Sequence, residues 1–109
     1  MGRAKSDLLH GTLELLVLRL LENEAMNGYG IGRRIEELTR DALSVDEGSL
    51  YPALYRMQRR GWLKSSWGVS ENNRRAKFYR ITRAGRRRLE SESANWMSFA
   101  AAVEKILGA

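Results

Sequence analysis

The sequence predicts a mainly α chain with one small β-hairpin, an α+β arrangement of three short helices, two strands and a long closing helix. Three observations lead there. Apolar residues recur at helical spacing before residue 60 and after residue 82, they alternate with polar ones in between, and glycines or capping residues stand at each change of period. At 109 residues the chain is one domain long, and a domain of that size buries only roughly two-thirds of its unfolded surface. The core is therefore thin.

The first helix is read from Thr12 to Glu22, "TLELLVLRLLE", which is apolar almost all round. A small subunit can cover one side of such a helix, so a second subunit is expected on the other, with Leu13 and Leu16 at that interface. "NEAMNGYG" follows as turn punctuation. A second helix runs from about Tyr29 to Thr39, with Ile31, Ile35 and Leu38 on its inner face.

The third helix lies in "SVDEGSLYPALYRMQRRG". Ser44 or Asp46 can cap it, and Ser44 with Glu47 has capping-box spacing. Pro52 then falls in the first or second turn. In the first its missing N–H has no partner to lose, and in the second the crowded carbonyl belongs to Gly48, whose backbone can bend away. Gly61 ends the helix.

"WLKSSWGV" reads as a strand, "SENNRR" as a turn and "AKFYRIT" as the returning strand. Alternation places Leu63, Tyr79 and Ile81 inward and Lys64, Lys77 and Arg80 outward. Trp62 and Trp67 are expected to pack the hairpin. Two short strands cannot stand alone in water, so they must lie on the helices. Thr82 caps a last helix over residues 83 to 107, with Gly108 and Ala109 as its frayed end. In it Leu89, Trp96, Phe99, Val103 and Ile106 form a seam that no earlier helix is long enough to cover. A partner copy of the same helix would cover it. The organisation expected is a unit over residues 1–82 and a dimerisation helix over 83–109.

Charge narrows the function. The net charge is +6, but between Arg56 and Arg88 twelve Lys or Arg face one acidic residue, Glu71, giving +11 there and −5 elsewhere. Concentrated basic charge on a small domain points to a polyanion, nucleic acid above all. With no cysteine there is no disulfide, thiolate nucleophile or cysteine-held metal, and a reducing cytoplasm is the expected setting. No stretch reads as an export signal or as a bilayer span. His10 is the only histidine and nothing near it completes a catalytic or metal set. Glu36 and Glu37 are adjacent and point different ways on a helix. "GYGIG" follows no strand and lacks a P-loop lysine. No enzyme, cofactor or metal is called for.

On a helical wheel Leu50, Leu54 and Met57 share one arc of the third helix, while Pro52, Tyr55, Arg56 and Arg59 lie opposite, flanked by Ser49. Hydroxyls, a flat apolar ring and guanidinium groups suit a DNA major groove, where Ser and Arg meet base edges and phosphates. Tyr51 sits at the boundary, available to core or phosphate. The hairpin adds a basic finger, Arg74, Arg75 and Lys77, able to follow the backbone or enter the minor groove. Three helices then a hairpin is the winged helix-turn-helix order, although order alone does not establish function.

The segments "GYGIGRRIEE", "LSVDEGSLYPALYRMQRRGWL" and "WGVSENNRRAKFYRIT" followed by "AG" resemble the PadR family of bacterial transcriptional regulators, over residues 8 to 107. The chain is most similar to short members with a single C-terminal helix. The resemblance implies a winged-helix homodimer joined through its first and last helices, repressing from a palindromic operator. Positions matching Ser49, Tyr51, Pro52 and the basic wing then lie at or beside DNA, and Tyr29 matches a tyrosine that reaches a phosphate or packs in the core. It also implies release by a small aromatic ligand near the dimer interface, where Trp96 could stack on it or serve only as dimer core.

On this reading Lys64, Arg74, Arg75, Lys77 and the arginines of the third helix supply salt-dependent affinity, while Ser49, Tyr51, Pro52 and Arg56 select sequence. The site would be an inverted repeat and the protein would sit on the nucleoid. The rival readings are a winged-helix module for protein interaction or dimerisation, and a nonspecific nucleic-acid-binding protein.

Overall fold

The computed structural model describes residues 12–108. His10 lies outside them, as does Ala109. The first helix, α1, is described over residues 12–20 and buries one stripe, Leu13, Val17 and Leu18, continued by Leu21 just beyond it. Leu15, Leu16 and Leu20 are only half-buried beside that stripe.

The chain then forms a strand that the turn-like sequence hid. β1, Met26–Asn27, pairs antiparallel with a later strand, and its second residue also starts a helix. Asn27 is extended and its Oδ1 accepts a 2.8 Å bond from Gly30 N–H, which opens α2, Gly28–Leu38. Two residues are too few for alternation to register. α2 buries Gly28, Ile31 and Ile35, but Leu38, expected on the same face, is exposed because it is the last residue of a helix that outruns the core.

Asp46 caps α3, Glu47–Arg59, its Oδ1 accepting from Ser49 N–H at 2.7 Å, so of the two capping candidates the later one starts the helix. Pro52 therefore sits in the second turn, opposite Gly48, and the helix runs on through it to Arg59. Its exit is a Schellman motif. Gly61 takes φ +81°, a left-handed conformation, while Trp62 N–H reaches Met57 C=O and Gly61 N–H reaches Gln58 C=O, both at 3.0 Å.

β2, Leu63–Val69, and β3, Arg75–Ile81, pair in register Leu63↔Ile81 through Val69↔Arg75, and the sheet order is β1-β3-β2. Leu63, Tyr79 and Ile81 are buried against the helices. The hairpin turn is closed by Ser70 N–H to Arg74 C=O at 2.8 Å, with Asn73 left-handed at φ 58°. α4, Arg83–Leu107, is capped by Thr82, whose hydroxyl also donates to Gly61 C=O at 2.6 Å. That bond ties the start of α4 to the end of α3.

The core is one cluster drawn from α1, α2, α3, the hairpin base and Leu89 of α4. Two residues expected at a dimer face, Leu13 and Leu89, belong to this cluster and are spent within the subunit. Beyond Leu89, α4 leaves the core. Trp96 is 45% exposed and Ile106 81%, with Met97, Phe99 and Leu107 also exposed and Val103 half-buried. A helix of 25 residues is about 37 Å long, which accounts for much of the 52 Å long dimension. No helix among the described residues is long and apolar enough to cross a membrane.

Candidate nucleic-acid interface

α3 is held on three sides, and what remains is the candidate surface. Its inner arc, Leu50, Ala53, Leu54 and Met57, is buried. On the sheet side Gln58 accepts from the Ser65 hydroxyl at 3.1 Å. Tyr51 leans the same way. Its ring covers Gly28 so closely that a Cβ there would stand 2.6 Å from the hydroxyl. Tyr79, in β3, has its phenol pushed above the usual tyrosine range, first by burial and then by Tyr51. Tyr51 thus braces α3 against Gly28 of α2 while remaining partly exposed.

Pro52, Tyr55, Arg56 and Arg59 point outward and are exposed. Arg59 lies over the Tyr55 ring at 5.8 Å, one turn along the helix. Ser49, Pro52 and Arg56 also line an open groove of about 530 Å³ between α1, α3 and α4, which Trp96 and Phe99 close from the far side. Within it Arg56 meets Glu14 of α1 at 3.6 Å. The sequence points Arg56 toward DNA, and its meeting with Glu14 is not legible there, because two helices that meet side by side leave no mark of it in either one's periodicity.

The pairing register divides the hairpin cations. Arg75 and Lys77 share a face with Trp67, whereas Lys64 lies on the opposite face beside its ladder partner Arg80. Lys64 is therefore not gathered with the other wing cations. Arg74 stands in the turn. Trp67, expected to pack the hairpin, is 58% exposed and carries Arg75 at 4.3 Å and Lys77 at 5.7 Å from its ring centroid. Alternation puts Trp67 on the face of Leu63 and Ser65 and so favours packing; it is exposed because the strand has run past the core by that point, which periodicity does not record. Trp62 does pack, half-buried between Arg60 and Arg88 at 5.3 and 4.7 Å.

Tyr29 is also apart from the α3 face. It lines a second groove, between α2 and the hairpin turn, together with Arg33, Ser70 and Phe78. The Arg33 guanidinium there holds its proton more tightly than usual, Tyr29 contributing most and Glu37 next.

Among the described residues, none of the ion pairs engages Arg59, Lys64, Arg74, Arg75, Lys77 or Arg80. Arg59 of α3 and the wing cations thus carry positive charge that no ion pair among the described residues neutralises, while Arg56 on the same face of α3 is paired with Glu14. Nor do the described residues contain a cluster of His, Asp or Glu able to hold a metal ion.

Residues 17–91 match the model of the PadR-like family of transcriptional regulators. This chain belongs to that family. A PadR-family regulator from Eggerthella lenta superimposes with a TM-score of 0.80 at 30% identity, over 97% of this chain and 90% of the other. A PadR-like regulator from Bacillus cereus gives 0.80 at 28% identity, over 94% and 98%. A transcriptional regulator from Clostridium thermocellum gives 0.83 at 28% identity, over 91% and 96%. An uncharacterized protein of Lysinibacillus sphaericus is 27% identical over 84% of each chain. PadR relatives are regulators and not enzymes, and the winged-helix architecture expected from the sequence is the one they share.

Proposed function

We propose that this PadR-like chain binds duplex DNA as a homodimer and represses transcription by occupying an inverted repeat. The observation that carries the reading is the positive charge of Arg59 on α3 and of Arg74, Arg75 and Lys77 on the wing, which no ion pair among the described residues engages. Pro52, Tyr55, Arg56 and Arg59 would enter the major groove, with Ser49 at the groove edge, while Arg74, Arg75 and Lys77 follow the backbone. Tyr51 acts first as a brace and Tyr29 and Lys64 as peripheral phosphate contacts.

Residues 1–82 form the DNA-binding unit, and the helix from residue 83 to 109 joins two copies. Trp96, Phe99, Val103 and Ile106 provide the interface, with Leu16 of α1 at its margin. Leu13 and Leu89 support it from within each subunit. A two-fold axis then sets two recognition helices one helical turn, or a multiple of it, apart. A small aromatic effector would stack on Trp96 in the groove beside α3 and disturb that spacing. A cytoplasmic protein of this kind resides on the nucleoid.

The test is binding to an inverted repeat from the flanking promoter and to scrambled duplex across a salt series. A steep salt slope on both, with tighter binding to the repeat, is expected. Equal affinities would leave a nonspecific binder, and no salt slope would remove nucleic acid altogether. Replacing Arg74 and Arg75 with Ala should weaken both duplexes alike and flatten the slope by about 2.

A further inference from the structure

The exposed indole of Trp67 is the feature that the regulator reading leaves unused. The guanidinium carbon of Arg75 lies 4.3 Å from its ring centroid, a stacking distance, and the ammonium of Lys77 lies at 5.7 Å. Lys77 is the direct ladder partner of Trp67, and Arg75 is the partner of Val69 two residues further out. A single exposed aromatic needs no explanation by itself. Two like charges brought to one ring do, because they repel each other and none of the described ion pairs supplies a carboxylate between them. A hairpin shaped for stability alone would set an acid across from them.

Stacking also has a geometric consequence. It occupies the flat face of the guanidinium and leaves the in-plane N–H donors free, which is the orientation that a bidentate phosphate contact needs. The wing is otherwise poorly braced, being a two-stranded ladder that extends past the core. We propose that Trp67 is a positioning residue of the wing, holding Arg75 and Lys77 for the phosphates of the DNA backbone. The proposal rests on the DNA-binding reading above. Trp67 reads no base, so its effect is the same on every sequence.

The experiment measures binding of the full chain to mixed-sequence duplex several helical turns long, across a salt series, for wild type and for Trp67→Phe, Trp67→Leu, Trp67→Ala, Arg75→Ala and the Trp67→Ala/Arg75→Ala double variant. Trp67→Ala should weaken binding about threefold to tenfold and lower the salt slope by about 1, as loss of one phosphate contact does. Trp67→Phe, which keeps an aromatic face, should stay within about twofold of wild type. Trp67→Leu keeps apolar bulk without that face and should behave as Trp67→Ala, so binding like wild type would overturn the proposal. The double variant should lose less than the product of the two single losses, because part of what Trp67 contributes runs through Arg75 and only its hold on Lys77 is left to remove. Losses that multiply would show two independent contacts and overturn the proposal too. Urea midpoints of all variants separate folding from binding. If wild type binds with a salt slope and Trp67→Ala is unaffected, the role of Trp67 falls and the regulator reading stands. If wild type shows no salt-dependent binding, both fall.

Discussion

The Arg56 guanidinium of α3 lies 3.6 Å from the Glu14 carboxylate of α1. It is the one ion pair among the described residues that joins two helices, since the other four link residues three or four apart. It holds a cation of α3 beside the groove that contains Trp96. A group so tethered is shared between the protein and any polyanion that approaches α3.

Replacing Glu14 with Gln should therefore free Arg56. Both side chains are partly exposed, so the pair is worth at most about 1 kcal/mol and the urea midpoint should barely move. Affinity for duplex DNA should rise a few-fold and the salt slope should steepen by about 1. Unchanged binding would mean that Arg56 serves the α1–α3 contact alone.

Two glycines should respond unequally to alanine. At Gly85 a Cβ would collide with the Trp62 carbonyl oxygen, which is backbone and already accepts from Thr82 N–H at 3.0 Å. Nothing there can yield, and Gly85→Ala should cost about 3 kcal/mol. At Gly28 the obstacle is the far end of the Tyr51 side chain, which can swing outward, so Gly28→Ala should cost about 1 kcal/mol. Urea denaturation of both variants measures the difference.

Alkaline pH should act on Tyr79. Its folded pKa lies above the unfolded value because burial, and then Tyr51, disfavour the phenolate. A raised folded pKa gives stability that is whole below the unfolded pKa and is lost as pH rises through the folded one. Stability should thus fall above about pH 10, the ordinary tyrosine value. Tyr79→Phe should show a shallower fall in urea midpoint between neutral and alkaline buffer.

Trp96→Lys should separate interface from core. Trp96 is 45% exposed within one subunit, so its own fold tolerates a charge there. On a dimer seam the same charge would lose its water. Folded monomers are expected, read by helical circular dichroism together with sedimentation. A stable dimer of the variant would place the interface elsewhere.

Most elements are legible in the sequence. The span of α4, its Thr82 cap, the hairpin strands and the inward set Leu63, Tyr79 and Ile81 follow from period and capping chemistry, which are local properties of the chain. β1 was not legible, because Met26–Asn27 becomes a strand only by lying along Tyr79 and Phe78. Leu38 and Leu89 show the same limit from the other side. Their spacing is right for the faces assigned to them, but spacing does not say where the core ends.

By itself, then, the sequence determined the order of elements, the buried arc of α3 and the concentration of cations between Arg56 and Arg88, since each depends on residues close together in the chain. Only the tertiary structure decided that Arg56 meets Glu14, that Tyr51 covers Gly28, and that the hairpin register sets Arg75 and Lys77 on Trp67 while turning Lys64 to the other face. These relationships join residues from different elements, and the angle and register at which elements meet are fixed by packing, which no periodicity along a single element records.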